Sequence, residues 1–143
     1  MTNLVSTKGR YALRVMLDLA ENGNGGLIPL KSIAERQCIS LKYMETIMPN
    51  LIKAGLVTAT HGKGGGYKLS RPADQYTVGE ILRMSEGSIT TVACLENGYV
   101  CTRADTCKTL PIWKKLDTLI NNYLDTVLLT DLLIEDTGDD YVI

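Results

Sequence analysis

Apolar residues recur three and four apart from Thr7 to Asn22. Tyr11, Ala12, Val15, Met16, Leu19 and Ala20 form one stripe, which predicts an amphipathic helix ended by the GNGG run at Gly23 to Gly26. A short helix is expected over Leu30 to Gln37, with Ile33 and Ala34 inward. Cys38-Ile39-Ser40 then makes a turn, and Ser40 is a good N-cap for the next helix. That helix is expected from Leu41 to Ala54, with Leu41, Met44, Ile47, Met48, Leu51 and Ile52 on its buried side. Pro49 should weaken or kink it, and Gly55 should end it. From Leu56 to Arg71 the period changes to two. Val57, Thr58 and Thr60 are β-branched, and Tyr67 and Leu69 alternate with polar residues. Gly62, Gly64, Gly65 and Gly66 are expected to supply positive φ angles to a tight turn between two strands.

After the polar stretch Pro72 to Tyr76, helical spacing returns over Thr77 to Ser85, with Val78, Ile81 and Leu82 inward. Residues 86–108 have no clear period. From Leu110 to Ile134 the positions Trp113, Leu116, Ile120, Tyr123, Val127, Thr130 and Ile134 alternate three and four apart, a helix–helix seam. A helix of that extent would be ~37 Å long. Much of its apolar surface would lack cover in a monomer, which points to dimerisation. The alternative is packing on its own domain alone. The tail from Glu135 is acidic.

The expected fold is mainly α with a small β-hairpin. Short helix, three-residue turn, longer helix and basic hairpin make a winged helix-turn-helix, followed by a long C-terminal dimerisation helix. The division is 1–85 for DNA binding, 86–108 for a cysteine-containing sensor loop, and 109–143 for the dimerisation helix and tail. The reading end of the second helix offers Ser40, Lys42, Tyr43, Glu45 and Thr46, and the hairpin offers His61 and Lys63. Lys8 and Arg10, at the start of the first helix, are candidate phosphate contacts.

Charge sharpens this picture. The chain's formal net charge is −1, but its halves differ. Residues 1–71 hold ten Lys and Arg against four Asp and Glu, a balance of +6; residues 72–143 hold five against twelve, a balance of −7. A basic half beside an acidic one fits a nucleic-acid face and a separate regulatory half. The 45% hydrophobic content is that of a globular protein. No apolar run approaches the roughly 18 residues of a membrane span, and the start MTNLVSTKGR does not read as a signal peptide. A cytoplasmic protein is expected, in which four cysteines are poor candidates for structural disulfides. Only one histidine is present, with no supported nucleophile–base pair. GKGGGY lies between strands rather than before a helix, against a nucleotide cradle, so an enzyme is not expected.

Cys94, Cys101 and Cys107 are spaced C-x6-C-x5-C in the segment without period. Thiolates there suit an iron–sulfur cluster or zinc, a reversible disulfide switch, or no cofactor at all. Cys38, in the turn, reads as a small buried hydrophobe. A metal or cluster carrier that does not bind DNA is the alternative of another class, separable by salt-dependent DNA retention.

STKGRYALRVMLDLA at 6–20, IAERQCIS at 33–40, LKYMETIMPNLIKAGLV at 41–57, GKGGGYKLSR at 62–71 and VGEIL at 78–82 resemble the IscR/NsrR/CymR type of bacterial winged-helix regulators, the Rrf-two family. The resemblance runs through nearly the whole chain and implies a homodimer on a pseudo-palindromic DNA site. It implies that Glu45 reads a base, that Ser40 and Lys42 stand at contact positions, and that His61 occupies the place of a wing arginine directed to the minor groove. It implies a 2Fe–2S cluster on Cys94, Cys101 and Cys107. The first gap between cysteines looks one residue longer than in IscR-like members, Leu110 stands where a fourth-ligand histidine is expected, and Arg10 where NsrR-like members have a carboxylate. Glu96 and Asp105 are the substitutes available within the loop.

Overall fold

The computed structural model describes residues 4–96 and 102–133. Helix α1 spans Thr7–Asn22, α2 Leu30–Gln37 and α3 Leu41–Lys53; strands β1 (Val57–Thr60) and β2 (Gly66–Leu69) follow, then α4 (Val78–Glu86) and α5 (Leu110–Thr126). Three helices start on a hydroxyl cap. Ser6 Oγ accepts from the Gly9 amide and Ser40 Oγ from the Tyr43 amide, both at 3.1 Å, and Thr77 Oγ1 accepts from the Glu80 amide at 3.0 Å. Each satisfies an amide that has no partner within its own helix. Helix α3 continues through Pro49 to Lys53. The ring removes only the rung to the Glu45 carbonyl, and the apolar face on either side keeps the helix seated.

The core lies where α1, α2, α3 and α4 converge. Val15, Met16, Ile33, Met44, Leu51, Tyr76 and Ile81 are all fully buried there. Leu41 and Ile52, expected inside, are exposed, because they flank the Met44–Met48–Leu51 ridge rather than sit on it. Tyr11 and Ala20, also expected on the inner stripe, are half-buried at its margins.

The hairpin pairs antiparallel from Val57↔Leu69 to Thr60↔Gly66. Ile28 adds an antiparallel bridge to Tyr67, through two amide–carbonyl bonds of 2.8 Å, and so mounts the hairpin on the segment before α2. Only Gly62 and Gly64 of the turn have positive φ. The other two glycines serve close approach instead: a β-carbon on Gly65 would collide with the Thr60 carbonyl, and one on Gly66 with the Ile28 backbone. Tyr76 anchors the far end, where its hydroxyl donates to the Leu56 carbonyl at 2.7 Å and accepts from the Arg71 amide at 3.0 Å. Arg71 lies over the Tyr76 ring and pairs with Glu80 at 2.6 Å, which holds its guanidinium above the ordinary range.

The long helix expected to reach Ile134 ends at Thr126. Its 17 residues correspond to about 26 Å. Two captures end it. The Val127 carbonyl accepts from the Val78 amide at 2.8 Å, and the Asp131 carboxylate accepts from the Leu128 amide at 2.9 Å. The chain then makes a 3-10 turn, Leu129–Leu133, and Leu129 enters the main core, fully buried. Ile134 and the acidic tail lie outside the described residues.

The seam expected along α5 is two faces. Ile120, Leu124 and then Val127 pack against Val78, Leu82 and Ile89. Arg83 of α4 clamps the same side, donating to Asn121 Oδ1 at 2.9 Å and to Asp125 Oδ1 at 2.6 Å. Asn121 and Asp117 in turn hold the Ile89 carbonyl and the Thr91 amide. The other face leaves Ile112, Leu116, Leu119 and Tyr123 exposed, Tyr123 at 67%.

Candidate nucleic-acid interface and cysteine segment

The second helix of the helix-turn-helix is set by its cap. Gln37 ends α2, Cys38 takes the left-handed conformation at φ 54°, and Ser40 starts α3. Cys38 is exposed, against the expectation of a buried thiol, because the left-handed turn directs it away from the core and leaves the inward place to Ile39. Ser40, Lys42, Glu45 and Thr46 are exposed along the start of α3. Tyr43 is half-buried, with its ring edge-on to Tyr11 at 5.5 Å, so only part of it faces outward.

His61 and Lys63 are exposed on the hairpin turn. Glu45 and His61, 16 positions apart in sequence, line the same open groove of about 420 Å³ between α3 and the hairpin. The groove's floor is apolar, from Met48, Pro49, Ile52 and Tyr67. Helix and hairpin thus bring Glu45 and His61 to one groove. Lys8 and Arg10 lie on the first turn of α1, which Tyr11 brings against the start of α3. Lys8 is half-buried; Arg10 is exposed and donates to Thr7 Oγ1 at 3.2 Å.

Four other arginines of the chain are committed to structure. Arg14 binds the side chain and carbonyl of Gln37, Arg36 pairs with Asp18 at 2.7 Å, and Arg71 and Arg83 make the ties described above. Asp18 is a functional candidate that sequence reasoning missed. It is buried, and its carboxylate accepts from Arg36 and Gln37, which also holds the Arg36 guanidinium above its usual range. The available signal was an acid set directly beside the apolar stripe of α1.

Of Cys94, Cys101 and Cys107, Cys94 is exposed in a 3-10 turn, Ala93–Leu95, and Cys107 is half-buried just before α5. Cys101 lies outside the described residues. Cys107 Sγ is 3.3 Å from Thr109 Oγ1. The Thr109 hydroxyl, then the backbone amides of Thr109 and Leu110, favour the thiolate and lower the pKa below that of an ordinary thiol. That donor chemistry fits a soft metal or a cluster iron. Among the described residues no three His, Cys, Asp or Glu side chains gather into a metal-binding group. Leu110 opens α5 with an apolar side chain, and Arg10 is a cation, so neither supplies a further ligand. Glu96 and Asp105 are both exposed. No helix among the described residues is long and apolar enough to cross a membrane.

The family model described as Rrf2, iron-dependent transcriptional regulator, matches residues 5–135. The HTH-type transcriptional regulator IscR of Cronobacter sakazakii is 39% identical over 129 residues, which cover 90% of this chain and 79% of that protein. Among solved structures, CymR (YrzC), described as the global cysteine regulator of B. subtilis, is 36% identical with a TM-score of 0.75, over 95% of this chain and all of that one. T. potens IscR is 36% identical with a TM-score of 0.74, over 96% of this chain and 93% of that one. These relatives are transcriptional regulators and not enzymes. With its winged helix-turn-helix and this similarity along nearly its whole length, the chain belongs to the Rrf2 family of DNA-binding transcriptional regulators.

Proposed function

We propose that this chain is a homodimeric, sequence-specific reader of a pseudo-palindromic DNA site, with its output set by the cysteine segment. The observation that carries the reading is the shared groove of Glu45 and His61 beside a capped, exposed start of α3. Glu45 accepts from a base-edge amine such as cytosine N4; Ser40, Lys42 and Tyr43 contact the neighbouring base edges and phosphates. His61 and Lys63 follow the backbone or the minor groove, where histidine is shorter and less fully charged than arginine. Lys8 and Arg10 add phosphate contacts from α1. Residues 1–85 are the reader, 86–108 the sensor, and 109–143 the segment that joins two copies through the exposed face of α5. Acting on DNA, the protein works in the cytoplasm.

Cys94, Cys101 and Cys107 would hold a 2Fe–2S cluster, which supplies a redox- and oxygen-sensitive group beside α5. What the chain itself does is couple that place to the reader. Residues 89 and 91 hang from Asn121 and Asp117 of α5, and α5 is clamped to α4 by Arg83. A change in the segment can therefore tilt α5 against the reader. Only a difference in DNA affinity between the two states regulates. A direct thiol switch is the second reading, favoured by the thiolate-stabilising surroundings of Cys107. Anaerobic purification followed by absorption, iron and sulfide analysis separates them. Visible bands with about two irons and two sulfides per chain are expected for the cluster. A colourless, iron-free protein after attempted cluster assembly, with a disulfide forming on oxidation, replaces it with the thiol switch.

A further inference from the structure

One polar stripe of α1 touches every part of the helix-turn-helix. Tyr11, Arg14 and Asp18 stand at i, i+3 and i+7, which places them on one side of the helix. Tyr11 meets Tyr43, three residues into α3, edge-on. Arg14 lies over the Tyr11 ring, 5.1 Å from its centre, and its Nε donates to Gln37 Oε1 at 3.2 Å, while Nη2 donates to the Gln37 carbonyl. The Gln37 amide nitrogen donates to Asp18 Oδ2 at 2.9 Å. Arg36 completes Asp18 with two bonds, of 3.0 and 2.7 Å. Gln37 is therefore gripped by α1 through both ends of its side-chain amide and through its carbonyl. Just two residues, Cys38 and Ile39, separate it from the Ser40 cap of α3.

Apolar packing is non-directional and tolerates small rotations of one helix on another, whereas hydrogen bonds weaken steeply with angle. The buried Asp18 carboxylate adds a penalty for any rotation that unpairs it. We propose that Asp18, Arg14 and Gln37 are positioning residues of the recognition helix: they fix the point and angle at which α3 leaves the turn, and so set base discrimination without touching DNA. This rests on α3 being the reader. It also gives Arg14 a role other than that of a phosphate-binding cation.

The test uses the full chain and two 30-bp duplexes, one enriched by the wild-type protein from a random pool and one unrelated. Gln37→Ala removes the gripped side chain. Arg14→Lys keeps the charge and loses the fork. Each is expected to keep the wild-type circular dichroism, to bind the unrelated duplex within about twofold of wild type with an unchanged salt slope, and to bind the enriched duplex about tenfold more weakly. A lowered thermal midpoint with an unchanged ratio between the duplexes makes the stripe purely structural and overturns the proposal. So does Arg14→Lys matching wild type while Arg14→Ala weakens both duplexes and flattens the salt slope, because Arg14 is then a phosphate contact. If the wild-type chain enriches no duplex, α3 is not a reader and the proposal falls with that reading. A wild type that enriches a site and variants that read it equally well sink the stripe alone.

Discussion

The reader and α5 use the same kind of apolar repeat to opposite effect. In α1, α2, α3 and α4 the apolar positions close on one another within the chain, and each helix contributes fully buried residues. Helix α5 is as long as α1 and as amphipathic in pattern, yet none of its 17 residues is fully buried. One side leans on α4, and the other exposes Ile112, Leu116, Leu119 and Tyr123 in a row spaced four, three and four. The apolar faces of the first four helices are covered within the chain; the outer face of α5 is not. A continuous apolar row on a helix is the geometry of pairing with a second helix. The charge split runs the same way, a basic reader against an acidic remainder.

The largest effect is expected at the exposed row of α5. Ile112→Asp with Leu119→Asp should turn a dimer into a monomer by analytical ultracentrifugation and weaken operator binding by at least about 100-fold, the loss of linked half-sites. A wild-type chain already sedimenting as a monomer would remove the second copy from the picture. The boundary between the regions is sharpened by Leu129→Ala. Leu129 comes after α5 in sequence but belongs to the reader's core, so its truncation should cost about 3 kcal/mol in chemical denaturation. A loss below about 1 kcal/mol would place it outside that core.

Smaller effects probe the reader alone. Glu45→Ala should cost about 1–3 kcal/mol against the preferred base at one position and relax discrimination there. Equal affinity for all single-base variants of the site, before and after the change, would show that Glu45 reads nothing. The smallest effect is expected at the hairpin, where Lys63→Ala should weaken all sequences alike and reduce the slope of log affinity against log salt by about one. An unchanged slope would take Lys63 off the phosphates.

Local signals were legible where local physics decides. Thr7–Asn22 and Leu30–Gln37 begin and end where spacing and glycine punctuation indicate, and the Ser40 cap and the hairpin follow from short-range chemistry. The misses turn on which groups meet in the fold, which spacing along the chain does not encode. Periodicity carried α5 on to Ile134, and it ends at Thr126 because Thr77, Val78 and Asp131 capture Val127 and Leu128. The glycine run suggests conformational need at Gly65 and Gly66, but their role is steric, required by the backbones of Thr60 and Ile28. Asp18 gave little warning because an acid beside an apolar stripe has meaning only once Arg36 and Gln37 fold onto it.

The order of elements, the helix-turn-helix with its wing and the family are legible along the chain, because caps, turns and amphipathic spacing act over a few residues. Tertiary structure alone decided that Glu45 and His61 share a groove, that four arginines are spent on internal pairs, and that α5 has an inner and an outer face. Those outcomes depend on which distant groups meet, and burial and directional hydrogen bonds take their value only from the partner that arrives.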